Sequence, residues 1–82
     1  NPFNPSTTIE FTVPSATNVT LQVYNLLGQE VALLVDGKLN AGKHRLNWNG
    51  RNSEGVSVSS GVYLYRLVAG NRIETRKMLL LK

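Results

Sequence analysis

Apolar and polar residues alternate along most of this chain with a period of two. In residues 8–13 the apolar set is Ile9, Phe11 and Val13, separated by Thr8, Glu10 and Thr12; in 19–24 it is Val19, Leu21 and Val23, separated by Thr20, Gln22 and Tyr24. Successive side chains of a strand point to opposite faces, so each run predicts a strand with one face on a core. Between them, Pro14-Ser15-Ala16-Thr17-Asn18 has turn chemistry: proline cannot donate to a ladder, and Ser and Asn bond their own backbone. A third strand is expected over 30–35, although the unbroken apolar run Val31 to Val35 also fits a short helix.

Asp36-Gly37 and Asn40-Ala41-Gly42 read as breakers, after which 44–48 alternates again with Leu46 and Trp48 on one face. Asn49-Gly50 is a turn signal, because both residues tolerate positive φ. Val56 and Val58 suggest a short edge segment, Gly61 opens a long strand over 62–69, and Gly70-Asn71 has the spacing of a two-residue hairpin before a final strand over 73–81. About seven short strands without a long helix predict an all-β fold, a single antiparallel β-sandwich occupying residues 1–82. Its core is expected from alternate positions of facing strands: Ile9, Phe11, Val19, Leu21, Val23, Leu46, Trp48, Tyr63, Tyr65 and Leu67.

The last strand departs from the pattern. Met78, Leu79, Leu80 and Leu81 are apolar in succession, so one core cannot bury them all. With a two-residue loop at Gly70-Asn71, Tyr63 lies opposite Met78 and Val62 opposite Leu79. Tyr63, Tyr65, Leu67, Met78 and Leu80 then share one face, and Val62, Leu64, Val68, Ile73, Leu79 and Leu81 share the other. That second face is too apolar for solvent, which makes it a candidate surface for a protein partner, including another copy of the chain. A copy that contacts through one surface and offers a different one builds an open filament, with the Asn1 to Ser6 arm available as a donated strand or clasp.

Composition narrows the chemistry. At 82 residues the chain holds one small domain, and its net charge of +4 comes from nine basic residues spread between Lys38 and Lys82, with only Arg76 and Lys77 adjacent. Such a spread predicts no nucleic-acid partner. No run approaches the roughly 18 to 20 apolar residues of a membrane helix, so no membrane span is expected. The chain begins without an initiator Met or a signal-peptide pattern and reads as part of a longer precursor.

With no cysteine and His44 as the single histidine, zinc, copper and haem sites lack ligands, as do Cys/His and Ser/His nucleophile pairs. The carboxylates Glu10, Glu30, Asp36, Glu54 and Glu74 are scattered over separate segments. We therefore expect no enzyme and no cofactor. The loop from Asn47 to Gly55 has a calcium-loop composition but not the EF-hand spacing, and reads as structural. Asn18-Val19-Thr20 matches the N-glycosylation triplet, a pattern frequent by chance. The aromatics Phe3, Phe11, Tyr24, Trp48, Tyr63 and Tyr65 suit core packing better than a sugar-binding platform.

Five segments carry a family resemblance: NPFNPSTTI at 1–9, VYNLLGQEV at 23–31, LNAGKHRLNWNGRNSEG at 39–55, SGVYLYRL at 60–67 and TRKMLLLK at 75–82. In this order, over the whole chain, they resemble the C-terminal sorting domain of type IX secretion cargo. A related Ig-like domain occurs in flagellar hook-capping proteins, and the terminal KMLLLK is the feature that favours the sorting domain.

The resemblance implies that the sandwich is Ig-like and that it is a noncatalytic module at the end of a larger secreted protein of a Gram-negative bacterium. Such a module takes a periplasmic cargo, covalently linked upstream, to outer-membrane secretion machinery; a sortase-like protease then usually removes it at the cell surface. The recognition determinants of that family map onto Lys77, Met78, Leu79, Leu80, Leu81 and Lys82. Asn49 and Asn52 stand at loop positions where the family often has Asp. Two other readings stay open beside this one: a self-assembling subunit of an extracellular fibre, and an Ig-like structural or adhesive module of a surface protein.

Overall fold

A computed structural model of the chain describes residues 6–81. They form six strands: β1 (Thr7–Val13), β2 (Thr17–Tyr24), β3 (Glu30–Leu39), β4 (Gly42–Trp48), β5 (Gly61–Ala69) and β6 (Arg72–Leu80). β1 pairs with β4 in a two-stranded sheet, and the others form a four-stranded sheet in the order β3-β2-β5-β6. Every pairing is antiparallel.

The inward faces of the two sheets meet in one core. Ile9, Phe11 and Val13 of β1 and Trp48 of β4 pack against Val19, Leu21 and Val23 of β2, Ala32 of β3, Tyr63, Tyr65, Leu67 and Ala69 of β5, and Leu80 of β6. Leu46, expected inside, is only half-buried, because β4 has a neighbour on one side alone and leaves that row of the sheet open. Val13, Ala32, Ala69 and Leu80 complete the core.

The third strand forms as expected, and two other expectations are corrected. The apolar run in β3 is strand rather than the alternative short helix: register shifts against β2 between Leu21 and Gln22 and between Val23 and Tyr24 make Leu34 and Val31 extra residues of β3. Each bulge resets the alternation, so Ala32 and Val35 both lie on rungs of inward-facing β2 residues, opposite Val23 and Leu21. Asp36-Gly37 does not break the chain, since Gly37 sits opposite Val19 inside the ladder. Val56 to Val58 makes no seventh strand; the segment contributes only the bridge between Arg51 and Ser57.

The loop joining β4 to β5 is held by its own side chains. Asn52 Oδ1 accepts from the N–H of Glu54 and of Val56, both at 3.0 Å, and Asn49 Oδ1 accepts from the N–H of Arg51 at 3.2 Å. These amide oxygens are occupied by the turn itself, the bonding by which Asn favours such loops. His44 of β4 is likewise accounted for: its ring stacks on Phe11 of β1, with centroids 5.4 Å apart, and its Nε2 lies 2.8 Å from the carbonyl of Asn40 in the turn before β4.

Candidate interaction surface

The β5–β6 hairpin has the register expected from its turn. Ala69 pairs with Arg72, Tyr63 with Met78 and Val62 with Leu79. Gly70 sits at φ +59 and Asn71 does not have a positive φ, the combination of a type II′ turn, which matches the twist of the flanking strands. In the four-stranded sheet the side chains of Tyr63, Tyr65, Leu67 and Leu80 go to the core, with Met78 half-buried beside them.

The opposite face of that sheet is crossed by three rungs of side chains. One runs Asp36, Thr20, Val68, Ile73; the next Leu33, Gln22, Arg66, Thr75; the third Glu30, Tyr24, Leu64, Lys77. Beyond the third rung stand Val62 and Leu79. The expected surface of Val62, Leu64, Val68, Ile73, Leu79 and Leu81 is therefore not one patch. Arg66 and Thr75 divide it into Val68 with Ile73 at the hairpin tip, and Leu64, Val62 and Leu79 at the other end. Leu64 and Val68 are half-buried, whereas Val62, Ile73, Leu79 and Leu81 are exposed, Leu81 at 68%.

Alternation splits the expected recognition segment too. Lys77, Leu79 and Leu81 are exposed; Met78 is half-buried, and Leu80 is wholly buried at 0%. Leu80 is thus a core residue and makes no surface contact while the domain is folded. Lys82 and the arm residues Asn1 to Pro5 lie outside the described residues.

β6 is an edge strand. The closing pair of a two-residue hairpin is hydrogen-bonded, and such pairs then alternate along the ladder. Ile73, Thr75, Lys77 and Leu79 consequently turn their N–H and C=O groups away from β5, towards the open edge. β6 carries no proline and no register shift over its nine residues, two of the devices that commonly protect an edge.

A further apolar feature escaped the sequence reading. Leu26 and Leu27 project from the turn between β2 and β3, at 65% and 84% exposure. Asn25 builds that turn, its Oδ1 accepting from the N–H of Leu27 at 2.9 Å and of Gln29 at 3.0 Å, with Gly28 at φ +82. The signal was Leu-Leu between Asn25 and Gly28: two apolar residues inside turn chemistry have no strand to bury them.

No group of three or more His, Cys, Asp or Glu able to hold a metal ion occurs among the described residues. Of the two ion pairs described, Arg45 with Glu10 at 3.4 Å is largely solvated, and Arg72 with Glu74 at 3.0 Å joins an exposed guanidinium to a half-buried carboxylate. What the described residues offer is a sheet face, an open edge and an apolar turn.

The FlgD Ig-like domain model matches residues 4–72, most of the chain, so the protein belongs to the FlgD Ig-like domain family. No curated protein matches it. Among solved structures, FlgD from P. aeruginosa superposes with a TM-score of 0.72 at 22% identity, over 92% of this chain and 59% of that one. FlgD from Xanthomonas campestris, described for hook capping essential for flagellar assembly, gives 0.72 at 19% identity, over 94% of this chain and 56% of its own. Dimeric latent PorU from Porphyromonas gingivalis gives 0.70 at 24% identity, over 96% of this chain but 8% of that much longer one. The chain thus spans little more than half of the FlgD structures it resembles, and the shared property is the Ig-like fold.

Proposed function

We propose that the chain is a noncatalytic C-terminal sorting module: it directs a secreted cargo, linked upstream of it, through the outer membrane by type IX secretion and is then cleaved at the cell surface by a sortase-like protease. The observation that carries this reading is β6, an edge strand on which Lys77 and Leu79 stand exposed while Leu80 anchors the strand in the core, with Leu81 exposed just beyond it. The strand is fixed by packing and still presents apolar side chains and unpaired backbone groups, the features a protein receptor engages by strand addition. Two comparisons support the reading. The family match ends at Arg72, so the KMLLL segment lies beyond what is shared with that model. A very similar fold also forms a small part of a far longer chain in PorU, as expected of an appended module.

On this reading the protein acts at the cell surface or outside a Gram-negative bacterium, after transit through the periplasm, and its partners are the secretion machinery and the protease. A second reading, a structural Ig-like module of a surface protein or fibre, is favoured by membership of the FlgD Ig-like family. The two are separated by fusing the domain behind a periplasmic reporter in a host competent for type IX secretion. Surface or medium localisation that is lost on deleting residues 77–82 supports sorting; reporter that is exported equally well without those residues removes the proposed role of the terminus.

A further inference from the structure

The connections of the sandwich divide between its two ends. Residues 14–16, 40–41 and 70–71 turn the chain at one end; the start of β1, the turn 25–29, the loop 49–60 and the end of β6 lie at the other. The contact of Trp48 with Tyr63, 5.0 Å between centroids, fixes how the two sheets share these ends. Exposed large apolar side chains are divided unequally between them. Leu26, Leu27, Val56, Val62, Leu79 and Leu81 belong to the second end, whereas the turns of the first expose none. Leu33 and Ile73 are the others among the described residues, set singly on β3 and near the start of β6.

Part of that end forms one surface. Tyr24 closes β2 on the rung that continues through Leu64 to Lys77, so the turn after it leaves the sheet at the level of Val62 and Leu79. β2 and β6 are two strand spacings apart, about 10 Å, and Val62 of β5 stands between them. Val62, Lys77, Met78 and Leu79 line a shallow depression there. The chain upstream departs from Thr7 in the other sheet, and this outer face looks away from it.

The exposure of the two leucines is held in place. Besides the two bonds that Asn25 Oδ1 accepts, Asn25 Nδ2 donates to Gln29 Oε1 at 2.8 Å, and the backbone N–H groups of Gly28 and Asn25 donate to the carbonyls of Asn25 and Gln29, both at 3.0 Å. A turn so tied presents Leu26 and Leu27 without further ordering, which lowers the entropic cost of binding. Lys77 stands on the same outer face beside Leu79, and neither ion pair of the described residues involves it. A two-fold contact of this surface with a second copy would bring Lys77 towards its own mate, so charge favours a different partner that carries a carboxylate.

We infer that the Leu26-Leu27 turn is a second contact point for the receptor that the sorting reading assigns to β6: one protein, with an apolar seat and a carboxylate for Lys77, covers Leu26, Leu27, Val62 and Leu79 together. The inference rests on that reading and adds to it a contact from a distant part of the chain.

The test fuses the domain behind a periplasmic reporter in a host competent for type IX secretion. Leu26→Gln with Leu27→Gln changes two exposed side chains, so the melt should match the parent, while reporter at the surface or in the medium should fall about tenfold or more. Leu26→Met with Leu27→Met keeps an apolar turn and should keep export. Leu27→Gln alone, at the more exposed site, should lower export with an unchanged melt even where the double variant is unstable. Parent-level export by the Gln variants, with export still abolished on deleting 77–82, overturns the second contact and leaves the sorting reading standing. Reporter retained with the parent domain itself overturns both. Equal loss with the Met pair overturns an apolar contact. So does light scattering in which the Gln pair abolishes self-association of the 82-residue chain while export is intact, since the turn then serves a second copy.

Discussion

Trp48 and Tyr63 meet edge to face across the two sheets, with ring centroids 5.0 Å apart and planes at 74°. Each ring is also tied at its polar tip: Trp48 Nε1–H donates to the carbonyl of Arg51 at 2.9 Å, and the Tyr63 hydroxyl donates to the carbonyl of Ser59 at 2.6 Å. The pair therefore fastens both ends of the loop between β4 and β5 to the core.

Replacing Trp48 with Ala should cost about 3 to 5 kcal/mol, since it removes the largest fully buried side chain and leaves the Arg51 carbonyl without its donor. Tyr63→Phe keeps the ring and loses only the bond to Ser59, so about 0.5 to 1.5 kcal/mol is expected. Denaturant melts of both variants measure the difference. A loss well under 1 kcal/mol for Trp48→Ala would contradict the inward placement of this ring.

Neighbouring leucines at the end of β6 should behave oppositely. Leu80→Ala empties a fully buried site and should cost about 2 to 5 kcal/mol, whereas Leu79→Ala, at a position 53% exposed, should change stability by less than about 1 kcal/mol. Equal losses in thermal or denaturant unfolding would mean that the strand does not alternate as described.

Two glycines give a similar contrast. Gly70 turns the hairpin at φ +59, and a Cβ there would meet Thr17 Oγ1 at 3.4 Å, so Gly70→Ala should destabilise by about 1 kcal/mol or more. Gly37 lies within β3 without positive φ and has open space around it, so Gly37→Ala should be neutral or stabilise by up to about 1 kcal/mol. Melting of the two proteins side by side checks the sign of each change.

Much of this was legible in the sequence wherever a turn fixes a register. Gly70-Asn71 sets every pair of β5 and β6, and the strict alternation of β1 and β2 sets their faces. β3 was not legible beyond its start: a bulge is a tertiary compromise, and in a run of five apolar residues nothing local says which one is extra. Asp36-Gly37 misled for a related reason, because Gly is read as a breaker unless a facing strand holds it extended. At the candidate surface, the exposed and buried leucines of β6 followed from parity. The division of the outer face by Arg66 and Thr75 follows from the same pairing once the polar positions of each rung are included.

On the sorting reading, the exposed side chains at the end of β6, and not merely the presence of a folded domain, carry recognition for export. Leu79→Gln with Leu81→Gln alters only exposed positions, and stability should stay within about 1 kcal/mol of the parent by melting. Fused behind a periplasmic reporter, the double variant should leave that reporter in the periplasm while the parent domain delivers it to the surface or medium. Export at the parent level by a double variant with an unchanged melt would contradict the account.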